Sequence, residues 1–232
     1  MKRKHFVVIG LGQLGFQAAL SLKELKHQVT VIDNNEARIS EIKNRVDRAV
    51  VADASDERAL AFIDPKETPV ALVAIGERHK EASIFCVSLL KEIGMKLIYV
   101  RASNPLQGKI LKKIGADRIL YPEAMIGVQV AREMSVEKIF HWVQLKKGVS
   151  MAEVLAPSTL HNRTILDLNL RSKYGVFILS IRRGIKVEDE NGLHIEEEEV
   201  YDFPDPSTKF LPDDVLIVTG KDDELEHFVS LP

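Results

Sequence analysis

Near the N-terminus a glycine-spaced turn limits the fold more than any other feature. Gly10-Leu11-Gly12-Gln13-Leu14-Gly15 has the spacing G-x-G-x-x-G, directly follows the β-branched run FVVI, and leads into a stretch with helical spacing at Leu14, Ala18, Leu22 and Leu25. Glycines frequent turns of every kind, so the spacing alone is a weak signal; a strand before it and a helix after it make it specific. In that context Gly10 permits the tight turn, Gly12 lets backbone approach a diphosphate, and Gly15 allows the helix to lie close against the strand. A phosphate would then face the unpaired amides at the helix start. Asp33, 18 residues beyond Gly15, ends the next β-branched run, where a carboxylate accepts hydrogen bonds from ribose hydroxyls. An acid there repels a 2′-phosphate, so a plain adenine ribose is favoured over NADP.

Short apolar runs continue to alternate with helical patterns. Residues 5–9, 28–32, 49–52, 70–75, 96–100 and 118–120 read as strands, with helical spacing between them, for example at Ile84, Val87 and Leu90 and at Ile110 and Ile114. Six strands separated by helices predict an α/β fold, a Rossmann-like doubly wound parallel sheet apolar on both faces. Asn104-Pro105 reads as a cap and first turn of one helix, and Gly115 as its end. Asp53-Ala54-Ser55 follows the third strand and Ile75-Gly76 the fourth, both at the carboxyl edge where such sheets bind dinucleotides. Turn chemistry would account for Asp53 and Ser55 equally, and helix entry for Gly76.

Residues 122–140 carry Met125, Ile126, Val128, Val130, Ala131, Met134, Val136, Ile139 and Phe140, more apolar positions than one helical stripe holds. A helix there must bury two sides, and a second subunit is the favoured cover. Beyond it the pattern changes to a small α+β C-terminal lobe: strands at 142–145, 151–155, 176–182 and 215–219, a helix over 165–174 closed by Gly175, an Asn191-Gly192 turn, and a last helix over 222–228. The expected domains are 1–138, including the long helix, and 139–232. Residues 196–199, four consecutive glutamates, read as a solvated loop.

Several function classes drop out on composition. Net charge is −2, and Lys146-Lys147 and Arg182-Arg183 are isolated pairs, so no basic footprint for nucleic acid is present. No apolar run approaches the ~18–20 residues of a membrane helix, and the basic start MKRKHFVVIGLG runs into the glycine turn instead of a cleavage site. Direct membrane insertion and export are therefore not expected. The single cysteine, Cys86, lies among Ile84, Phe85, Val87 and Leu89 and reads as a core residue. The seven histidines are scattered, each reading as surface or loop, and no Tyr-x-x-x-Lys pattern or acid–base pair stands beside the fingerprint. Hydride transfer needs such a proton donor, so no catalytic residue is expected.

The segments VIGLGQLG at 8–15, VIDNNEARI at 31–39, VVADASDERAL at 50–60, LVAIGE at 72–77, KILKKIGADRILYPEAMIG at 109–127 and TILDLNLRSKYG at 164–175 together resemble the regulatory RCK proteins of bacterial Trk and Ktr potassium-uptake systems, most closely the Ktr type. The match covers nearly the whole chain. The resemblance implies an N-terminal domain that binds ATP, ADP, NAD⁺ or NADH and dimerises through the helix after the sixth strand. It further implies a homo-oligomeric ring, octameric in the family, on the cytoplasmic face of a membrane-embedded potassium channel. Carried over by position, Asp33 and Asn35 hold ribose, Arg38 with Asp53, Ala54 and Ser55 borders the adenosine, and Arg101 approaches the phosphates. Glu123 matches an acid that helps coordinate a divalent cation beside the phosphates; a first-turn acid favoured by the helix dipole is the plainer account. Ile165, Leu166, Asp167, Leu168 and Arg171 match a region that binds cyclic di-AMP between paired lobes, although the aliphatic residues suit a core or interface equally well.

One position departs from the pattern. Ktr-type proteins that respond to ATP commonly carry arginine where this chain has Gln13, and a neutral amide lacks the charge and fork of a guanidinium. The expected function is nucleotide-dependent gating of a potassium-uptake channel. A small NAD-dependent oxidoreductase and a stand-alone nucleotide or redox sensor are the competing readings.

Overall fold

The computed structural model describes residues 3–135, 139–188 and 194–232, and they form two compact units, Met1–Ala124 and Met125–Pro232. The first is built on six parallel strands: β1 (His5–Ile9), β2 (Gln28–Asp33), β3 (Arg48–Val51), β4 (Val70–Val73), β5 (Leu97–Arg101) and β6 (Arg118–Leu120). Their order across the sheet is β3-β2-β1-β4-β5-β6, so the chain reverses its direction of travel between β1 and β4. Ligands of such sheets bind at that switch point, beyond the carboxyl ends of the strands.

The apolar character of both strand faces has its expected counterpart in two cores. Val7 and Ile9 of β1 join Val73, Ile98 and Val100 on one side, and Val8 joins Val29 and Val31 on the other. Helices cover both: α1 (Gln13–Glu24), α2 (Glu36–Ile42), α3 (Glu57–Leu60), α4 (Lys80–Glu92) and α5 (Pro105–Ile114). In α5 the Asn104 Oδ1 accepts the Gln107 N–H at 2.9 Å, Pro105 opens the helix, and Gly115 at φ 125° ends it. Cys86 is buried in α4, where burial pushes its thiol up, as suits a core residue.

The inward face of α1 differs from the expected one. Gly15, Ala19 and Leu20 are buried, whereas Leu14 and Ala18 are only half-buried and Leu25 is exposed. The helix approaches the sheet so closely at Gly15 that only small residues fit beneath it. Two histidines also depart from the surface reading. His27 is buried, and His5 is half-buried between the Thr30 and Thr68 hydroxyls at 2.9 and 2.8 Å.

Helix α6 runs from Pro122 to Ser135, shorter than the expected 122–140. Ile139 and Phe140 belong to the strand β7 (Ile139–Lys146), and Val136 lies outside the described residues. In the second unit β8 (Val149–Leu155), β9 (Phe177–Glu188), β10 (His194–Asp202) and β11 (Val215–Lys221) complete an antiparallel sheet of order β10-β9-β11-β8-β7. Helix α9 (Asp222–Val229) packs Leu225, Phe228 and Val229 onto a core that holds Trp142, Val154, Leu160, Phe210 and Val218.

The single helix expected over 165–174 is two, α7 (Ile165–Leu168) and α8 (Leu170–Tyr174), separated by Asn169 in the left-handed region at φ 45°. Asparagine tolerates that conformation better than most residues, so it makes a natural break. Residues 196–199 lie on β10 and not in a loop, paired with residues 183–186 of β9. The Asn191-Gly192 turn lies outside the described residues.

Candidate functional site

At the carboxyl edge of the parallel sheet a cleft of about 450 Å³ opens between the ends of β1, β2 and β4. Its walls include Gly10, Gly12, Asp33, Arg38, Asp53, Ala54, Ile75 and Gly76, all singled out from the sequence. Asn34, Glu77, Arg78 and His79 also line it. Gln13, Leu14, Gly15, Asn35, Ser55 and Arg101 stand outside the walls, each with a definable job or position nearby.

Each of the three glycines meets a different requirement. Gly10 has φ 90°, and a Cβ there would stand 3.0 Å from the Ala74 carbonyl carbon. A Cβ on Gly15 would lie 1.9 Å from the Gly10 carbonyl oxygen and 3.1 Å from the Ala74 Cβ. At Gly12 a Cβ would meet nothing within 4 Å, so its backbone faces the open cleft. Gly12 is also the N-cap of α1, with no side-chain capping bond and no acid in the first turn. The amides at the helix start are thus left for a ligand, and the helix dipole favours an anion there. Gln13 and Leu14 occupy that first turn, Gln13 exposed.

Asp33 is buried and takes part in the architecture of the cleft as well as its chemistry. The Leu11 N–H donates to its Oδ2 at 2.5 Å and the Asn35 N–H to its Oδ1 at 2.8 Å. The carboxylate therefore ties the glycine turn to the end of β2, and each oxygen retains acceptor capacity for a hydroxyl. Asn35 caps α2, its Oδ1 accepting the Arg38 N–H at 3.2 Å. The Arg38 guanidinium stands 3.7 Å from Asp33 Oδ2. Just beyond β3, Asp53 Oδ1 accepts both the Ser55 hydroxyl at 2.7 Å and the Ser55 N–H at 2.9 Å, which hold its carboxyl below the usual carboxylate range. Turn chemistry accounts for Ser55, while Asp53 remains a wall of the cleft.

Arg78 and His79 were not assigned to the site as individual residues from the sequence. They lie on a short 3-10 turn, Glu77–His79, between Gly76 and α4, and no periodicity marks such a turn. Their only signal was position, immediately after the fourth strand of a doubly wound sheet. Arg38 and Arg78 give the cleft a cationic lining suited to phosphate.

The fit to an adenine nucleotide is good: bare backbone at Gly12, uncapped helix amides, a carboxylate on the ribose side, and cations around the rim. The Arg101 guanidinium donates to the Glu123 carboxylate, and among the described residues no group of three or more His, Cys, Asp or Glu converges as metal ligands.

In the second unit the five matched residues separate. Leu168 is in the core and Ile165 packs against it. Asp167 forms a capping box with Thr164, while Leu166 is 71% exposed. Arg171 is exposed, its guanidinium 4.9 Å from the Phe177 ring centroid. Among the described residues no helix is long and apolar enough to cross a membrane.

Comparison with known proteins agrees with this architecture. Residues 6–122 match the TrkA-N domain and residues 149–231 the TrkA-C domain. Over 228 residues the chain is 32% identical to Ktr system potassium uptake protein A of Bacillus subtilis (strain 168), covering 98% of this chain and 96% of that protein. It is 34% identical over 224 residues to the protein of the same name from Vibrio alginolyticus, covering 97% and 96%. A solved structure, the GsuK channel bound to NAD, superposes with a TM-score of 0.62 at 15% identity over 100% of this chain. This chain spans 40% of that channel's length, and the likeness establishes the shared fold. With both domains matched in order and the Ktr proteins similar from end to end, the chain belongs to the TrkA-N/TrkA-C family, the regulatory RCK proteins of the Trk and Ktr potassium-uptake systems.

Proposed function

We propose that this chain is a nucleotide-sensing subunit that gates a membrane potassium-uptake channel and catalyses no reaction. The observation that carries the reading is the open backbone of Gly12 at the uncapped start of α1, lining one cleft with Asp33. An adenine nucleotide, whether ATP, ADP, NAD⁺ or NADH, places its phosphates on the α1 amides and its ribose hydroxyls on Asp33. Arg38, beside Asp33, borders the adenosine, and Arg78 balances phosphate charge. The Ktr relatives support the potassium-uptake role, the NAD-bound channel supports a nucleotide ligand, and the cleft supports it by its chemistry.

Regulation follows when the ligand binds two states of the assembly with different affinity. The compact units divide within α6, after Ala124, but a domain boundary at 138/139 keeps the helix whole with the nucleotide domain, to which its first turn is tied through Glu123 and Arg101. The exposed Met125, Ile126, Val128, Val130 and Met134 of α6 support its role as the dimerisation element of a cytoplasmic homo-oligomeric ring. In the C-terminal lobe Leu166 and Arg171 support a cyclic di-AMP site between paired lobes, one to cover a base and one to hold a phosphate; Leu168 belongs to the core instead.

The deciding experiment is a calorimetric panel of ATP, ADP, NAD⁺ and NADH on the purified wild-type protein and on Gly12→Val. Binding of at least one nucleotide that the substitution weakens supports the reading. Failure of all four to bind a folded protein refutes it.

A further inference from the structure

Arg101 ends β5 and Glu123 sits in the first turn of α6, and their side chains are joined by an ion pair. The Arg101 side chain is 21% exposed and that of Glu123 63%. The other edge of the guanidinium lies behind the cleft: a Cβ built on Gly76, a cleft wall, would stand 3.9 Å from Arg101 Nη1. Arg101 Nε is buried and has no hydrogen-bond partner among the described residues. Guanidinium offers five N–H donors, and a buried donor left unpaired is unfavourable. Arg101 is thus an under-satisfied cation close to the Gly76 wall of the cleft, paired with the Glu123 carboxylate.

We propose that Glu123 is a positioning residue that restrains Arg101, competing with the phosphates of a bound nucleotide for the same guanidinium. The proposal rests on the nucleotide reading of the cleft. When phosphate oxygens arrive past Gly76, Arg101 exchanges its carboxylate partner for them, and the first turn of α6 loses its tie to the end of β5. Ligand charge is thereby converted into a change at the root of a helix that continues to Ser135. Glu123 in this arrangement lowers nucleotide affinity, the reverse of what a residue that helps hold the ligand or its cation would do.

The test is ADP affinity by calorimetry in metal-free buffer for the full-length wild type, Glu123→Gln, Arg101→Gln and the double variant, with thermal melts to confirm folding. Half-exposed ion pairs are weak, so Glu123→Gln is expected to tighten ADP binding by about two- to fivefold. Arg101→Gln is expected to weaken it, and adding Glu123→Gln to Arg101→Gln to change nothing further. A Glu123→Gln protein that binds ADP equally or more weakly overturns the proposal, as does an equal gain in the Arg101→Gln background. If neither wild type nor Glu123→Gln binds ADP, the proposal is overturned, while the nucleotide reading itself stands or falls on the four-ligand panel.

Discussion

Two glycines three residues apart should respond oppositely to the same kind of substitution. At Gly12 the backbone is extended, φ −67° and ψ −179°, and an added Cβ meets nothing within 4 Å. Alanine or valine there narrows the unfolded ensemble, a gain of about 0.4–1 kcal/mol. It also replaces glycine by a poorer N-cap, a loss of similar size, so the net change in stability is about zero. The side chain fills the space a diphosphate requires, and Gly12→Val is expected to weaken ADP and NAD⁺ binding at least tenfold, about 1.4 kcal/mol. At Gly15 the Cβ would stand 1.9 Å from a backbone carbonyl oxygen, so α1 must move off the sheet. Overpacking of this kind costs about 1–3 kcal/mol, which in a chain of this size lowers Tm by about 3–10 °C. The assay pairs thermal denaturation with calorimetry on Gly12→Val and Gly15→Ala. Unchanged nucleotide affinity in a folded Gly12→Val protein, or full thermal stability in Gly15→Ala, would refute the division of labour read from the turn.

Three further expectations follow from other parts of the molecule. The exposed apolar residues of α6 should make the protein a dimer or larger, and light scattering that finds only monomer across working concentrations counts against it. Cyclic di-AMP should bind with micromolar or tighter affinity and lose that binding in Arg171→Ala; absence of binding by a folded, oligomeric wild type would leave the lobe as a coupling and dimerisation element. Burial holds the His5 imidazole below its ordinary value of 6.5, and opposing charges on Asp47 and Glu67 do not offset this, while Arg48 adds to it. The unfolded chain therefore binds this proton more readily, so the His5 contribution to stability is present above about pH 6.5 and is lost as pH falls toward the folded value. Urea melts between pH 7.5 and 5.5 should show a shallower loss in His5→Gln, and an identical slope would show that another group carries it.

The parallel half was legible because its signals are local and redundant. Strand 118–120 was placed to the residue, and the glycine turn, the Asn104 cap and Gly115 each carry a backbone requirement visible in one or two letters. What failed depends on tertiary contact. Apolar residues recur from Met125 to Phe140, yet α6 is described as far as Ser135, and Ile139 and Phe140 belong to a sheet. Periodicity does not reveal such a change of partner. The split at Asn169 was hidden for a similar reason, since Ile165 to Tyr174 keeps helical spacing across a single left-handed residue. In the site, Asp33 was found by its place at a strand end. Its bonds to the Leu11 and Asn35 amides needed coordinates, and so did the ion pair that occupies Glu123.

Those two bonds from Asp33 also bear on how fast the protein responds. The glycine turn is held in place from within the protein, by one buried carboxylate gripping an amide on each side. Entry of a ligand then requires no slow ordering of the loop, and association rates should differ little from one nucleotide to another. Affinity differences among them must lie in the rate of departure. Residence time, set by Gly12, Asp33 and the surrounding arginines, therefore determines how long the protein retains the record of a ligand after its concentration has changed.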